Sequence, residues 1–189
     1  MRIIAGKYRG RNLKSPPSLE VRPTSDRLRE TLFNVISPRI QGARFLDLCA
    51  GSGAVGIEAI SRGASHATFV DNSRTMCDLV KSNLALCRIE RSDSAVIESE
   101  ARDYLRRFVT KQPDSGKPWD MAFFDPPYAT DYMPILDIFS SHSSSLLKES
   151  GLLIVEHHHK NELKAAAGSM IRSRILKQGD SALSFYELR

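Results

Sequence analysis

Phe45-Leu46-Asp47-Leu48-Cys49-Ala50-Gly51-Ser52-Gly53-Ala54-Val55-Gly56 is an apolar run that ends in a glycine-rich turn. Glycine tolerates backbone conformations and close approaches that a Cβ forbids, so a strand entering such a turn and leaving it as a helix can bring main chain against a ligand. Gly51, Gly53 and Gly56 satisfy the GxGxxG spacing, and Asp71 lies about 20 residues further on, where a ribose-binding acid belongs. A dinucleotide site is therefore one candidate. Asp47 separates the candidates, because a carboxylate at the tip of the first strand opposes a pyrophosphate at the helix N-terminus and favours a ligand carrying an ammonium group.

S-adenosyl-L-methionine has that ammonium, together with a sulfonium, a ribose diol and an adenine. On this reading Asp47 lies near the amino acid moiety, and Cys49, Ala50, Gly51, Ser52 and Gly53 bound the methionine and ribose. Asp71, followed by Asn72, accepts the ribose hydroxyls, while Glu100-Ala101 offers adenine one side-chain acceptor and one backbone N–H. The plain alternatives are a turn-capping role for Asp47 and a helix N-terminal acid for Glu100. A second motif bears on the reaction. The apolar strand Met121-Ala122-Phe123-Phe124 runs into Asp125-Pro126-Pro127-Tyr128, and in open parallel sheets ligands bind at the carboxyl ends of strands. Two prolines fix φ and remove two N–H donors, which leaves a carboxylate, a bare carbonyl and an aromatic ring. Asp125 and the Pro126 carbonyl can accept both hydrogens of a planar exocyclic amine, with Tyr128 stacked on its ring. The competing reading is a Pro-Pro turn with a packing tyrosine.

These motifs must be positioned by a regular frame, and the apolar pattern supplies one. Arg44–Leu48, Thr68–Asp71, Ala95–Glu98, Met121–Phe124 and Leu152–Glu156 read as strands, with helices beginning near Ala54, Ser73, Glu100 and Asp131. Repeated βα units imply a parallel sheet covered on both faces, hence a doubly wound α/β fold. Ile171–Lys177 and Leu183–Leu188, separated by Gln178-Gly179-Asp180, read as a terminal antiparallel hairpin. Before this body, Arg2–Ala5 and Arg11–Lys14 predict a small hairpin around Gly6 and Gly10. A helix follows, capped by Thr24, with Leu28, Leu32, Phe33, Val35 and Ile36 on one face and Pro38 at its end.

Composition narrows the class. The chain has 189 residues, 41% hydrophobic and 26% charged, which suits one soluble globular unit. No apolar stretch approaches a membrane span, and no signal peptide opens the chain. Cys49, Cys77 and Cys87 form no CxxC pair, so neither a disulfide framework nor a zinc site is expected, and a reducing cytoplasm fits. His157-His158-His159 invites a metal reading, but no acidic or cysteine partner is near in sequence, so none is expected. The formal charge of +5 is unevenly spread: residues 1–44 carry ten basic against three acidic side chains, and residues 45–189 carry 17 against 19. Such an arm attracts a polyanion, and nucleic acid leads an acidic membrane surface as its partner.

The chain resembles the class I S-adenosylmethionine-dependent methyltransferases from about Ala43 onward. Arg2-Ile3-Ile4-Ala5-Gly6, Arg9-Gly10, Arg22-Pro23-Thr24 and Asp26-Arg27-Leu28-Arg29-Glu30-Thr31-Leu32-Phe33-Asn34 narrow the likeness to the RsmD family of 16S rRNA guanine-N2 methyltransferases, as do Ser61-Arg62-Gly63-Ala64 and Asn83-Leu84. The resemblance implies a seven-stranded, mostly parallel sheet with a reversed last strand, preceded by a basic extension over residues 1–40 and a catalytic domain over 41–189. It further implies S-adenosyl-L-methionine as cofactor and one guanine amine of 16S rRNA, free or in the small ribosomal subunit, as substrate. Arg9, Arg22, Thr24 and Arg27 become its substrate contacts, and a monomer without metal or membrane is expected. Asp71 and Glu100 stand where the family more usually has Glu and Asp. Two other readings remain: amino-methylation of DNA adenine or a protein glutamine, which Asp-Pro-Pro-Tyr alone allows, and a non-catalytic RNA-binding module with a relic pocket.

Overall fold

A computed structural model describes residues 1–16, 25–111, 118–127 and 130–189, which divide into two compact units, Met1–Ser99 and Glu100–Arg189. In the first, β1 (Arg44–Leu48), β2 (His66–Asp71) and β3 (Ser94–Glu98) run parallel in the order β3-β2-β1. The crossovers are α2 (Ala54–Ser61) and α3 (Arg74–Cys87). The apolar runs Phe45-Leu46 and Phe69-Val70 are buried, as strands covered on both faces must be. All eight residues of α2 are buried too, the apolar ones by packing and Glu58 and Ser61 by polar contacts.

The second unit contains α4 (Ala101–Lys111), β4 (Trp119–Phe124), α5 (Met133–Ser141), α6 (Ser143–Leu146) and β5 (Leu147–His158). Three further strands follow: β6 (Ala166–Ala167), β7 (Met170–Gln178) and β8 (Ser181–Leu188). Their order is β4-β5-β8-β7-β6, with β4 parallel to β5 and the later pairings antiparallel. Among the described residues there are eight strands rather than seven, the addition being the two-residue β6, too short to leave a periodic trace in sequence. Trp119 is a core residue, its ring 4.3 Å from that of Phe108. Strand β7 carries Arg172, Arg174 and Lys177 and bulges between Arg172 and Arg174.

The N-terminal hairpin forms but is shorter than expected: one antiparallel bridge, Arg2 to Asn12, is flanked by bonds from the Ile3 N–H to the Arg11 carbonyl and from the Leu13 N–H to the Met1 carbonyl, both at 3.0 Å. The reason lies in where the backbone donors go. Ile4 and Ala5 give their N–H groups to the Glu58 carboxylate at 2.8 and 3.0 Å, and Lys7 and Tyr8 give theirs to the carbonyl and hydroxyl of Ser61 at 2.7 and 3.0 Å. A Cβ on Gly6 would fall 1.8 Å from the Ser61 carbonyl oxygen, so this docking requires glycine there. Helix α1 (Asp26–Ile40) also differs at both ends. Ser25, not Thr24, is its cap, accepting from the Leu28 N–H at 3.1 Å, and Thr24 itself lies outside the described residues. Pro38 sits inside the helix, which runs on to the buried Ile40. The Asn34 carbonyl that a residue other than proline would have bonded accepts instead from the Ser37 hydroxyl at 3.1 Å.

Glu58 is fully buried, and so is Arg29 of α1. The Glu58 carboxylate also accepts from Arg62 Nε at 2.7 Å and lies 3.8 Å from Arg29 Nε. Arg29 in turn donates to the Arg2 carbonyl at 2.5 Å and to Asp26 at 3.0 Å. Removing one partner of a buried pair strands the other charge, at about 3–5 kcal/mol. Glu58→Ala is therefore expected to lower the unfolding free energy by that order in urea titrations, and Glu58→Gln, which keeps two acceptor positions, by less.

Candidate functional site

The glycine-rich turn of the first unit is shaped by two carboxylates. Asp71 ends β2 and accepts from the Gly51 N–H through Oδ2 and from the Ser73 N–H through Oδ1, both at 2.9 Å. Asp47 accepts from the Gly56 N–H at 2.9 Å and is only 2% exposed. Between them Cys49, Gly51 and Gly53 all take positive φ, of 61°, 54° and 76°. Gly56 lies so close to β2 that a Cβ would meet Phe69 Cε1 at 2.3 Å. A Cβ on Gly51 would meet nothing within 4 Å, which leaves that face of the turn open to a ligand. Cys49, Ala50 and Gly51 are half-buried, Ser52 and Gly53 are buried, and Asn72 is exposed beyond the end of β2.

Burial pushes the Asp47 carboxyl up to about 8, the Asp71 carboxylate adds to the rise, and the Gly56 N–H opposes it. Asp47 thus holds a proton near neutrality until a cation draws it off. This alters the case against a pyrophosphate ligand: the obstacle is less the charge of Asp47 than the commitment of the Gly51 N–H to Asp71, which removes a donor that a phosphate would need.

The turn is tied to the N-terminal segment by Asn83, a fully buried residue of α3. Its Nδ2 donates to the Ser52 carbonyl at 2.9 Å and to the Lys14 carbonyl at 3.1 Å, while its Oδ1 accepts from the Lys14 N–H at 2.8 Å. Neither this amide nor the Arg29–Glu58 pair appears in the motif reading. Asn83 and Arg29 lie in segments that carry the family likeness, whereas Glu58 left no signal in the sequence reading. The segment itself presents Lys7 and Arg9 to solvent over a buried Tyr8, whose ring has Lys7 Nζ and the Arg11 guanidinium each 5.2 Å from its centroid. Arg27 is exposed, whereas Arg22 and Thr24 lie outside the described residues. Arg29, one of the ten basic residues counted in this stretch, is buried and adds nothing to the solvent-facing charge.

In the second unit β4 delivers Asp125 half-buried, Pro126 buried and Pro127 exposed, and the Pro127 carbonyl accepts from the Thr130 N–H at 2.9 Å. Tyr128 lies outside the described residues. Glu100 is exposed and its carbonyl accepts from the Tyr104 N–H, so it stands at the entry to α4, with Ala101 buried as the first helical residue. His157 is a core residue: its Nε2 lies 2.9 Å from Ser184 Oγ and its Nδ1 3.0 Å from the His158 carbonyl, and burial pulls its pKa down. The β7–β8 turn does bring an acid to the histidine run, since ligand atoms of His158, His159 and Asp180 lie within 4.8 Å of one another. Against a metal there, His158 Nδ1 accepts from the Lys160 N–H at 3.1 Å, which leaves the ring proton on Nε2.

Comparison with known proteins places these features in company. The sequence model for conserved hypothetical protein 95 matches residues 1–187. The putative rRNA methyltransferase YlbH of Bacillus subtilis is 33% identical over 190 residues, all of both chains. Ribosomal RNA small subunit methyltransferase D of Escherichia coli K12 is 34% identical over 187 residues, 99% of this chain and 89% of its own. Among solved structures, a putative methyltransferase yhhF from Escherichia coli superposes with a TM-score of 0.84 at 33% identity, covering 100% of this chain and 98% of that one.

Two outcomes follow for Asp47. Carboxyl NMR should find it titrating near pH 8, and Asp71→Asn should lower that value by removing one of the two influences that raise it. Because the folded-state pKa exceeds the ordinary 3.8, the stabilising contribution of the protonated group is full below pH 3.8 and drains away as pH rises toward 8. Asp47→Asn, which cannot ionise, should flatten that slope in denaturation curves.

Proposed function

Because the chain belongs to the conserved hypothetical protein 95 family, the RsmD family, we propose that it is an S-adenosyl-L-methionine-dependent methyltransferase acting on the exocyclic N2 amine of one guanine in 16S rRNA. The observation that carries the reading is Asp125-Pro126-Pro127 at the carboxyl end of the buried β4, in a chain whose other unit holds a glycine turn with an open face. No helix among the described residues is long and apolar enough to cross a membrane.

When bound, S-adenosyl-L-methionine supplies a methyl group activated by its sulfonium. The residues suit it: Asp47 would give up its proton and take the ammonium, and the backbone from Cys49 and Ala50 through Gly51, Ser52 and Gly53 would border the methionine and ribose. The carboxylate of Asp71 keeps lone pairs for the ribose diol beyond its two backbone bonds, with Asn72 beside it. Glu100 and the Ala101 N–H would serve adenine.

The guanine N2 lone pair is delocalised into the ring and is a poor nucleophile. Hydrogen bonds from its two N–H groups to Asp125 and the Pro126 carbonyl would help pyramidalise it and orient it for in-line transfer, while Pro127 holds the segment rigid and Tyr128 stacks on the extruded base. Positive charge builds on nitrogen as the new bond forms, and the Asp125 carboxylate stabilises it; the proton leaves to water or to Asp125. Residues 1–40 act in this scheme as the RNA-binding extension, with Arg9, Arg22, Thr24 and Arg27 reaching phosphates.

The deciding experiment offers labelled S-adenosyl-L-methionine with unmethylated small subunits, protein-free 16S rRNA and duplex DNA in parallel. N2-methylguanosine should appear in an RNA lane and fall by roughly 10²–10³ in rate with Asp125→Ala. Blank RNA lanes alongside intact cofactor binding would overturn the RNA substrate. Charge reversal at Arg9, Arg22 and Arg27 should weaken RNA binding and spare cofactor affinity; equal loss of both would count against the arm. Calorimetry in buffers of different ionisation enthalpy should also find a proton released on cofactor binding below pH about 8 and none well above it.

A further inference from the structure

We propose that the ends of β5 and β7 in the second unit form a further RNA contact, in which Lys160 and Lys177 take phosphates flanking the target nucleotide and the His158–His159 stack takes a neighbouring base; the inference rests on the RNA reading above. Charge gives the first indication. Residues 159–189 carry six basic side chains (Lys160, Lys164, Arg172, Arg174, Lys177 and Arg189) against three acidic ones (Glu162, Asp180 and Glu187), while residues 45–158 carry 11 against 16. The positive excess of the N-terminal segment therefore recurs at the other end of the chain, hidden in a sum over residues 45–189 by the acids between. A polyanion is the complementary partner, through phosphate contacts and counterion release.

Strand β8 is antiparallel to both β5 and β7, so β7 runs the same way as β5 and β4, and the carboxyl ends of all three share the edge where such sheets take their ligands. Phe124 at the end of β4 pairs with Val155, whereas β5 continues three residues further to His158, about 10 Å. His158, Ser181 and Gln178 form one row across β5, β8 and β7, so these three strands overtop β4 together. Asp125-Pro126-Pro127 leaves β4 at the foot of this step. The groups on the step suit a nucleic-acid strand. Lys160 and Lys177 are exposed. The rings of His158 and His159 stack at 4.7 Å and 26°, and both residues are half-buried, so the pair keeps surface for a further ring. The backbone holds the stack in place: the Asp180 carbonyl accepts from the His159 N–H at 2.8 Å and lies 3.2 Å from its Nδ1, and the Lys160 N–H donates to His158 Nδ1 at 3.1 Å. Fixed aromatic rings beside cations engage the bases and phosphates of single-stranded RNA together. A base drawn out toward Asp125 leaves its neighbours beside the site, and the step stands there to receive them.

The test measures Kd for whichever RNA form the wild-type protein methylates, over a salt series with S-adenosylhomocysteine bound. Replacing Lys160 and Lys177 together by alanine should weaken binding roughly tenfold or more and reduce the slope of log Kd against log salt by about 1.4, two single-strand phosphates at ~0.7 each. His159→Ala should weaken binding roughly tenfold with the slope unchanged, since a base stack releases no counterion, and His159→Tyr, which keeps a ring, should recover most of the loss. Lys148→Ala, at the opposite end of β5, should change neither quantity, and S-adenosylhomocysteine affinity should stay within about twofold of wild type throughout. Affinity and slope unchanged in the double-lysine variant, or lowered equally by Lys148→Ala, would overturn the proposal and leave the methylation reading standing. A loss confined to assembled subunits, with protein-free rRNA bound as before, would assign the step to a ribosomal protein and overturn it as well. No RNA methylated by the wild type would instead bring down the RNA reading, and this inference with it.

Discussion

Asp71 governs the bend on which the rest of the first unit depends. A single carboxylate at the end of β2 receives the N–H of Gly51 from one loop and that of Ser73 from another, so the turn after β1 and the entry to α3 share one anchor. Asp47 secures the far side through Gly56, and the close contact of Gly56 with Phe69 brings α2 hard against β2. Burial above all, with the nearby Asp71 carboxylate adding to it, is what leaves the proton on Asp47. A positive group at the turn would favour the ionised form of Asp47.

Much of the frame could be read from the chain because parallel strands buried on both faces leave compact apolar runs. Arg44–Leu48 agrees with its expected bounds at both ends, and β2, β3 and β4 differ only by one or two residues at their first ends. Strand β5 was underestimated because Lys148, Glu149 and Ser150 are exposed and break the apolar run while the backbone continues extended. The N-terminal hairpin is shorter than expected for another reason. Ile3 and Leu13 do bond across it, but the donors of Ile4, Ala5 and Tyr8 go to Glu58 and Ser61, more than fifty positions away, and local pattern cannot announce so remote an acceptor.

The candidate site divides along the same line. Glycine spacing and the Asp-Pro-Pro segment were legible because each is local and each restricts the backbone by residue type alone. The bonds of Asp47 and Asp71 to the turn and the Asn83 amide between Ser52 and Lys14 arise only from folding. Arg29 shows the limit most plainly. Counted along the chain it belongs to a basic arm, yet in the fold it is interior and neutralised, so charge summed over a segment overstates the charge that segment shows to solvent.

Strand β7 has a neighbour along its length on one side, β8, while on the other β6 meets it only at Met170 and Ile171. An exposed edge of this kind invites a strand from another molecule. Here the bulge between Arg172 and Arg174 breaks its regularity, and Arg174 and Lys177 set like charges against any second copy that approaches. The terminal hairpin thereby carries like charges and a bulge beside an incompletely paired strand, two features that disfavour edge-to-edge pairing of copies.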